Sequence, residues 1–473
     1  MESIVQAVLE NALRIPDKIA IAAEDQELGY GELAEKIKLF ANALKARGIK
    51  KGSRIAIEAD ELLSFFAAYL GCHLAGMVAV PIERNISIYR LQDILKTTKP
   101  VLVFMKNNGE SFDEFFKGEA AEGKIKYPKA AAAASIISTT GTTGNPVLVT
   151  HTNKSLVAES QNLSEGIQLA QDSVLFTNIS FDLAAGYRRV FAALRLGATA
   201  VITSRHLSEE MLWQCFDRFP ISHISVVNAN LDFFLHIENE KLKAAIGKLK
   251  SLETVSGSID ALQIRSFHRL YPEAVLYNVY GTTESGCLIY NNTHENPMEN
   301  CLGRPAVNVT IEIVDENGQL VEQPGKYGYV MVKGSMNMAG YFHKKTLTEK
   351  VMPGDYIIMN DIVYFDEQGY YYFVSRVGDI IDVDGHKVLP TEIEKVASEY
   401  EGVTDCACAG EKSPHYGDMP VLYVVCDEET FDFDKFKNYL ETHLEDYKVP
   451  GAIRSIDKIP RTATGKIMRK MLK

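Results

Sequence analysis

Short apolar runs recur along the first 280 residues, and helical patterns separate several of them. The runs are continuous and rich in β-branched residues, which is typical of strands buried on both faces. They are RIAIE (54–58), VLVFM (101–105), SIIS (135–138), TAVIT (199–203), ISVV (224–227) and AVLYNV (274–279). Residues 31–47 carry apolar side chains at helical spacing, namely Leu33, Ile37, Phe40, Ala41 and Leu44. This alternation predicts an α/β fold with helices packed on mainly parallel sheets.

The pattern changes near residue 305. Residues 305–390 contain short strands joined by acidic turns with glycine, and DEQG (366–369) is one such turn signal. Mixed α/β patterning then returns, with a helix from Pro390, strands at 403–409 and 421–426, and a helix at 431–445. The C-terminal part is therefore expected to differ in architecture from the N-terminal part.

The composition is that of a globular protein. The 473 residues include 62 acidic and 50 basic side chains, a net charge of −12. About 150 residues per domain gives two to four lobes, and the acidic balance argues against a general nucleic-acid binder. The best candidate for a membrane span, residues 67–82, is interrupted by glycine, histidine and proline, so no membrane association is expected. The N-terminus lacks a signal-peptide pattern, which predicts a cytoplasmic protein.

Seven cysteines stand at positions 72, 215, 287, 301, 406, 408 and 426. An odd number without closely spaced pairs does not indicate a disulfide framework. Cys406 and Cys408 would share one face of a strand, but no cluster follows that could complete the roughly four ligands of a zinc site. We therefore expect buried, reduced thiols.

Three segments carry residue types suited to nucleotide chemistry. Residues 138–146 (STTGTTGNP) follow a strand and can offer N–H and O–H donors to phosphate oxygens, although Gly-x4-Gly-Lys-Ser/Thr is absent. The sequence YGTTE (280–284) follows another strand, at the sheet edge where α/β proteins bind ligands. The tail 450–473 holds seven Lys/Arg and one Asp, with Lys466 beside a glycine. Each segment alone also has an ordinary structural explanation. Residues 138–146 could be a polar turn, residues 280–284 a surface turn, and residues 450–473 a solvated chain end.

In this order the three segments resemble the adenylate-forming (AMP-binding) superfamily, which contains acyl-CoA synthetases, peptide-synthetase adenylation domains and luciferase. The resemblance covers nearly the whole chain. Further segments that resemble core motifs of the family lie at 28–33, 75–81, 256–258, 303–305, 340–341, 360–361, 375–385 and 460–466.

The resemblance implies the fold class, the domains and the reaction. A large N-terminal domain of layered β-sheets with helices and a β-rich subdomain would span 1–377. A small mobile α+β domain, the C-terminal lid, would span 378–473. The implied enzyme is an AMP-forming acid–thiol ligase. It activates a carboxylic acid with ATP and Mg²⁺, releases pyrophosphate, and passes the acyl group to CoA or to the phosphopantetheine of a carrier protein.

The resemblance also implies roles for individual residues. Catalysis falls to Lys466, Thr283 and Glu284, with Glu284 also the Mg²⁺ ligand, as suits a hard oxygen donor. The expected nucleotide-binding residues are Thr139, Thr140, Gly141, Thr142, Thr143, Gly144, Gly257, Ser258, Tyr280, Gly281, Thr282, Asp361 and Arg376. Phe181, Asp182 and Gly257 are expected at the acid substrate, Gly378 at the hinge, and Gly385 at the thiol tunnel.

Two departures from the family pattern leave alternatives open. The phosphate loop runs directly from Pro146 to Val147 and lacks the family's Lys-Gly, and the hinge position is Gly378 instead of Asp or Lys. Both favour a non-catalytic adenylate- or acyl-binding relative. The retained set of Glu284, Asp361, Arg376 and Lys466 favours an active ligase, which we prefer.

The acid is the least determined part of the sequence analysis. Ser180-Phe181-Asp182 resembles the start of a motif in which amino-acid adenylation domains bind the α-amino group. The residues that follow depart from that motif, and Asp182 could instead cap the next helix. A general carboxylic acid is preferred, with a stand-alone amino-acid-activating enzyme as the alternative.

Overall fold

The computed structural model describes residues 2–106, 109–117, 125–139, 147–255, 259–383, 386–413, 417–462 and 467–472. Its helices are α1 (Ile4–Arg14), α2 (Tyr30–Ala46), α3 (Leu62–Ala75), α4 (Ile88–Thr98), α5 (Asn153–Gly166), α6 (Ala184–Leu196), α7 (Glu209–Arg218), α8 (Leu231–Leu235), α9 (Glu240–Ile246), α10 (Ala261–Leu270), α11 (Lys345–Val351), α12 (Pro390–Ser398) and α13 (Phe433–His443).

The strands, in chain order, are β1 (Ile19–Ala23), β2 (Gln26–Gly29), β3 (Arg54–Glu58), β4 (Val78–Ile82), β5 (Leu102–Phe104), β6 (Ala133–Ser138), β7 (Leu148–Thr152), β8 (Val174–Thr177), β9 (Thr199–Ile202), β10 (His223–Val227), β11 (Ser251–Val255), β12 (Val275–Thr282), β13 (Gly286–Asn292), β14 (Cys301–Pro305), β15 (Val309–Val314), β16 (Gly328–Gly334), β17 (Gly340–Tyr341), β18 (Tyr356–Phe365), β19 (Tyr371–Arg376), β20 (Ile381–Val383), β21 (His386–Val388), β22 (Asp405–Ser413), β23 (Gly417–Val425) and β24 (Ala452–Ser455).

The chain divides into two compact units. The first comprises Met1–Glu299, Gly303–Thr310 and Val332–Ile357, and the second comprises Asn300–Leu302, Ile311–Met331 and Ile358–Lys473. The second unit thus joins most of the β-rich stretch to the C-terminal region. The predicted boundary at 377/378 stays a prediction.

Two sheets form the framework of the first unit. One runs in the order β14-β13-β12-β11-β10-β8-β9-β1-β2, and the other in the order β17-β7-β6-β4-β3-β5. The pairings among β8 to β12, and that of β1 with β9, are parallel. In the second sheet, β3 pairs in parallel with β4 and β5. Parallel strands buried on both faces explain why their sequences read as unbroken apolar runs.

Helix α3 lies in the interior of the first unit. All fourteen of its residues except Ser64 are buried, because the helix is apolar on every face. Aromatic side chains pack around it: Phe66 meets Phe181 edge-on at 5.5 Å between ring centroids, and Tyr69 stacks on Phe191 at 5.3 Å. Such rings bury large areas and fix the spacing of the layers.

The second unit contains two sets of strands. One has the order β15-β16-β18-β19, and the other places β21, β20, β23 and β22 side by side with β24 on the far side of β23. Helices α12 and α13 cover the second set through a core that includes Ile393, Leu422 and Phe436. The turn at Asp366 confirms the predicted signal: its Oδ1 accepts from the N–H of Gln368 and of Tyr370.

The predicted fold class is confirmed: the protein is a mixed α/β structure with a large N-terminal sheet domain and a smaller C-terminal domain. None of the seven cysteines, all of which the structure describes, forms a disulfide, and five of them are buried. Within the part of the chain that the structure describes, no helix is both long and apolar enough to cross a bilayer.

Candidate active site

The segment Tyr280–Glu284 comprises the last three residues of β12 and the start of the tight turn into β13. Its ladder shifts register after Tyr280, and Thr282 pairs with Gly286 across the turn. The hydroxyl of Thr282 accepts from the N–H of Ser285 (3.2 Å) and lies 2.8 Å from the Ser285 hydroxyl. Thr283 and Glu284 therefore project from the end of a strand in the middle of a sheet, which is where the sequence predicted a ligand site.

The two glycines of this turn are required by close packing. Gly286 has φ +74°, and a Cβ there would lie 2.8 Å from Cγ of Glu159. A Cβ on Gly281 would overlap the carbonyl oxygen of Gly286. Only glycine fits either position, so the backbone of the turn lies directly against a buried carboxylate.

Three buried polar side chains converge on the turn from beneath. Arg188 of α6 donates from Nη1 to the carbonyl of Thr282 (3.1 Å) and from Nη2 to the carbonyl of Thr283 (2.8 Å). His151 of β7 places Nε2 2.8 Å from that same Thr283 oxygen. Glu159 of α5 forms an ion pair with Nε of Arg188 and lies 3.4 Å from Nδ1 of His151. We call Arg188, Glu159 and His151 the buried triad.

The protonation of the triad follows from its burial. Burial, with help from the neighbouring Arg188 charge, lowers the pKa of His151 to about 3, so the ring is neutral at pH 7. Since Nε2 faces the Thr283 carbonyl, which can only accept, that nitrogen carries the proton. Nδ1 lies 3.3 Å from the Ser155 hydroxyl oxygen, whose own proton goes to the Thr152 carbonyl (3.0 Å). Burial raises the pKa of Glu159 and Arg188 opposes that rise.

Tyr341 holds the carboxylate of Glu284. The Tyr341 hydroxyl donates to Oε1 of Glu284 (2.9 Å), and the N–H of Met338 donates to the Glu284 carbonyl (2.8 Å). Burial, followed by the nearby Glu284 charge, raises the pKa of Tyr341, so the phenol stays protonated and able to donate. The hydrogen bond from Tyr341 therefore fixes Oε1 of Glu284. The other carboxylate oxygen, Oε2, could bind a ligand.

Thr139 is hydrogen-bonded to Val147, and these two residues flank the undescribed part of the predicted phosphate loop (138–146). Its N–H donates to the carbonyl of Val147 (2.9 Å), and its hydroxyl accepts from the N–H of Val147 (3.2 Å). The other predicted phosphate-loop residues, Thr140, Gly141, Thr142, Thr143 and Gly144, lie outside the described residues. The same is true of Gly257, Ser258, Gly385 and Lys466. Tyr280 is half-buried and pairs with Ile289 in the β12–β13 ladder.

Phe181 and Asp182 are both buried. Phe181 is 1% exposed and belongs to the aromatic core. The carboxylate of Asp182 accepts from the hydroxyl of Ser180, and burial raises its pKa. The expectation that Asp182 caps the next helix is wrong, because α6 has Leu183 at its N-cap and no side-chain capping bond.

In the second unit, Asp361 and Arg376 face each other. They are register partners of β18 and β19, and Nε of Arg376 lies 3.3 Å from Oδ1 of Asp361. Gly378 follows in an exposed short turn, where a Cβ would meet nothing within 4 Å. An antiparallel bridge between Arg461 and Ile467 flanks the position of Lys466 in the chain.

Two family models together match most of the chain. The AMP-binding enzyme model matches residues 8–342, and the model of the AMP-binding enzyme C-terminal domain matches residues 392–466. The chain belongs to the AMP-binding enzyme family. This confirms the resemblance that the motifs indicated.

Individual relatives have nearly the same length as this AMP-binding enzyme. The chain is 28% identical to the 2-succinylbenzoate–CoA ligase of Bacillus subtilis (strain 168), and the alignment covers 98% of this chain and 97% of the relative. It matches ATP-bound MatB from Rhodopseudomonas palustris with a TM-score of 0.90 at 22% identity, covering 100% and 98%. It also matches the Bacillus subtilis o-succinylbenzoate CoA synthetase (MenE) in complex with ATP and a magnesium ion, with a TM-score of 0.85 at 23% identity, covering 98% of both.

The predicted enzyme class is confirmed. The chain is an AMP-binding enzyme, and the relatives named above are a CoA ligase and a CoA synthetase solved with ATP and a magnesium ion.

The side chains that support the turn were not predicted from the sequence. Tyr341 lies in one of the segments that resemble family motifs (340–341), and His151, Glu159 and Arg188 had no predicted role. All four are titratable residues on elements far from the turn in sequence. One available signal was the adjacent pair Arg188-Arg189 in a mostly apolar helix, since arginines are rarely buried unless they are paired.

Proposed function

We propose that this ligase adenylates its acid at the Tyr280–Glu284 turn and then transfers the acyl group to CoA. The observation that carries the proposal is the double support of the turn, from the buried triad below and from Tyr341 at Glu284. Such support holds the Thr283 hydroxyl and the Glu284 carboxylate in fixed positions. Fixed groups stabilise charge that develops in a transition state without reorganising.

The residues present fit a single magnesium ion. Glu284 supplies a hard oxygen, and Mg²⁺ typically takes one or two carboxylates together with phosphate and water oxygens. Among the described residues, no group of three or more His, Cys, Asp or Glu side chains could hold a metal. A metal shared with a polyphosphate suits such a site better than a site built wholly from protein ligands. When bound, the ion would neutralise phosphate charge.

The remaining roles follow the family motifs. We propose that Thr283 donates to the α-phosphate, that Asp361 and Arg376 hold the ribose, and that Lys466 meets the α-phosphate and the substrate carboxylate. Bringing a carboxylate up to a polyanion needs such cations, because the two reactants repel each other. Seven cysteines without a disulfide suit a reducing compartment, so we propose a cytoplasmic enzyme.

The acid is proposed from chemistry and from the relatives. An acid without an α-ammonium group is preferred, and 2-succinylbenzoate is the first to test because a full-length relative carries that name. The second candidate is an amino acid. It is favoured by one observation: Asp182 is buried, as a counter-ion for an ammonium group would be.

The test is a screen for pyrophosphate release over 2-succinylbenzoate, other aryl acids, fatty acids and amino acids. CoA and a phosphopantetheinylated carrier protein are supplied in parallel, and the thioester is identified by mass. We expect pyrophosphate release with a non-amino acid and the thioester on CoA. Release of no pyrophosphate with any acid would support the non-catalytic alternative, and thioester on the carrier protein alone would exclude CoA as the acceptor.

A further inference from the structure

The backbone carbonyls of Thr282 and Thr283, in the turn after β12, accept hydrogen bonds from buried side chains. Among the described residues, all of these side-chain donors belong to Arg188 and His151. Arg188 donates to the carbonyls of both Thr282 and Thr283, and His151 donates to that of Thr283. A peptide plane is fixed when its carbonyl is held, because the peptide unit is rigid. The orientation of the next residue, which carries the catalytic side chain, is then fixed as well.

We propose that the buried triad of Arg188, Glu159 and His151 positions Thr283 and Glu284 for the adenylation step. The triad acts through the turn backbone and does not touch the nucleotide, so its members are positioning residues. The inference rests on the proposed function of the turn and adds the residues that set its geometry.

The cost of the buried ion pair supports this role. Arg188 and Glu159 have side chains only 5% and 1% exposed. Replacing a buried ion pair by apolar residues of similar size is often neutral or stabilising, so folding alone gives little reason to keep this pair. An arginine that must reach two carbonyls in a closed site does need a buried carboxylate beside it.

The turn packs directly against the triad, so the triad restrains the position of the turn backbone. Gly286 lies against Glu159, so the turn is supported from one side by the carboxylate and held through its carbonyls by Arg188 and His151. Removing the triad would free the peptide planes of Thr282 and Thr283. A misplacement of about 1 Å at a reacting group can cost about 10²-fold in rate.

The first experiment replaces the pair as a unit. In the double variant Arg188→Met/Glu159→Met, no uncompensated charge stays buried, so the fold should persist. We expect kcat for pyrophosphate release to fall about 10²-fold, with little change in the KM for the acid. ATP binding measured by calorimetry should lose most of its dependence on Mg²⁺, because Glu284 is no longer aimed. Acyl transfer from a supplied acyl-adenylate should be spared.

The chain offers a matched control on the next residue of the same helix. Arg189 forms a fully buried ion pair with Glu253, in which Nε lies 3.1 Å from Oε2, and it also donates to the carbonyl of Ala185 (2.6 Å). Arg189→Met/Glu253→Met removes the same chemistry without touching the carbonyls of the turn. Its pyrophosphate release should stay within about threefold of the wild-type rate. Equal losses in the two double variants would overturn the proposal.

His151 gives an independent test if either double variant fails to fold. His151→Gln can still donate an N–H towards Thr283, whereas His151→Leu cannot. We expect pyrophosphate release and the Mg²⁺ dependence of ATP binding to follow the order wild type, Gln variant, Leu variant. A Leu variant equal to wild type in both measurements would overturn the positioning role. A wild-type enzyme that binds MgATP but activates no acid would instead count against the proposed function.

Discussion

The carboxylate of Asp361 faces the guanidinium of Arg376 directly across two antiparallel strands, with 3.3 Å between Oδ1 and Nε. Asp361 is buried, whereas Arg376 keeps about a third of its side chain exposed. The aspartate side of the pair is therefore held in the interior, whereas the arginine side chain can be reached from solvent. Since each side chain restrains the other, both are held ready for a polar ligand.

Asp361→Ala should weaken the use of ATP and leave the use of the acid unchanged. Loss of hydrogen bonds to a charged group costs about 1.5–3 kcal/mol, which corresponds to a rise of about 10- to 100-fold in the KM for ATP. Discrimination against 2′-deoxy-ATP should also weaken, because the variant lacks the acceptor for the ribose. Glu316→Ala, in an exposed ion pair with Lys387, is the control. An unchanged ATP dependence would exclude Asp361 from the ribose site.

The sequence predicted most of the sheet framework because parallel strands buried on both faces leave an unmistakable pattern. RIAIE coincides with β3, and the other apolar runs overlap β5, β6, β9, β10 and β12. The helix predicted at 31–47 is α2, displaced by one residue. Strands such as β7 and β13 were not predicted, since their mixed polar sequences show no clear period.

The side chains that support the Tyr280–Glu284 turn could not be predicted in the same way. Arg188 and Glu159 lie 29 positions apart in the sequence and on different helices, so no periodicity connects them. Their contact arises only when α5 and α6 pack together in the fold. For Asp182 the local sequence was misleading. Its position before a helix suggested a helix cap, but the side chain is buried by tertiary packing and does not cap α6.

Lys466→Ala should abolish adenylation and leave the fold intact. The position of Lys466 in the chain lies between two anchors: Arg461 reaches both oxygens of Asp405 (2.9 and 3.1 Å), and Arg469 donates to Glu394 (2.9 Å). Loss of one donor to a developing charge typically costs about 10²–10³ in rate. Pyrophosphate release measures the effect, with Lys470→Ala, at an exposed lysine, as the control. A Lys466 variant with the wild-type rate would remove this lysine from the mechanism.

Gly378→Pro should separate the two half-reactions. If Gly378 is the hinge, proline fixes φ near −65° and slows domain rotation, so acyl transfer to CoA should fall by about tenfold or more while adenylation stays measurable. Gly378→Ala is the matched control, because its Cβ would meet nothing within 4 Å. If both half-reactions fell equally in the proline variant, the hinge would lie elsewhere.

His73 should make folding stability depend on pH. The ring is buried beside Tyr69 and Ser135, and burial lowers its pKa to about 4. The unfolded chain binds a proton below pH 6.5 and the folded chain does not, so the free energy of unfolding falls as the pH is lowered from about 6.5 towards 4. At pH 5 this histidine should cost about 2 kcal/mol relative to pH 7.5.

The check on His73 is urea unfolding of wild type and His73→Leu at both pH values. The leucine variant should lose about 2 kcal/mol less between pH 7.5 and pH 5 than wild type does. His206→Leu, at an exposed histidine, controls for the substitution itself. The same pH slope in wild type and in the His73 variant would show that the folded protein protonates this ring as readily as the unfolded chain does.

Asp182 decides between the two substrate classes. An α-ammonium group that leaves water needs a fixed anion, and removing one partner of a buried pair typically costs about 3–5 kcal/mol. If the substrate is an amino acid, Asp182→Ala should therefore lower kcat/KM for it by several hundred-fold or more. The deaminated analogue should then become the relatively better substrate.

We expect the other outcome, in which acid selectivity is unchanged. The carboxylate of Asp182 is occupied by the Ser180 hydroxyl, and burial raises its pKa, which disfavours the ionised form that an ammonium group needs. Asp182→Asn keeps the hydrogen bond without the charge, so it isolates the electrostatic effect. Pyrophosphate release is compared for matched amino and deamino acids in wild type and in both variants. Wild-type turnover of a free amino acid but not of its deamino analogue, lost in the Asn variant, would establish Asp182 as the ammonium partner.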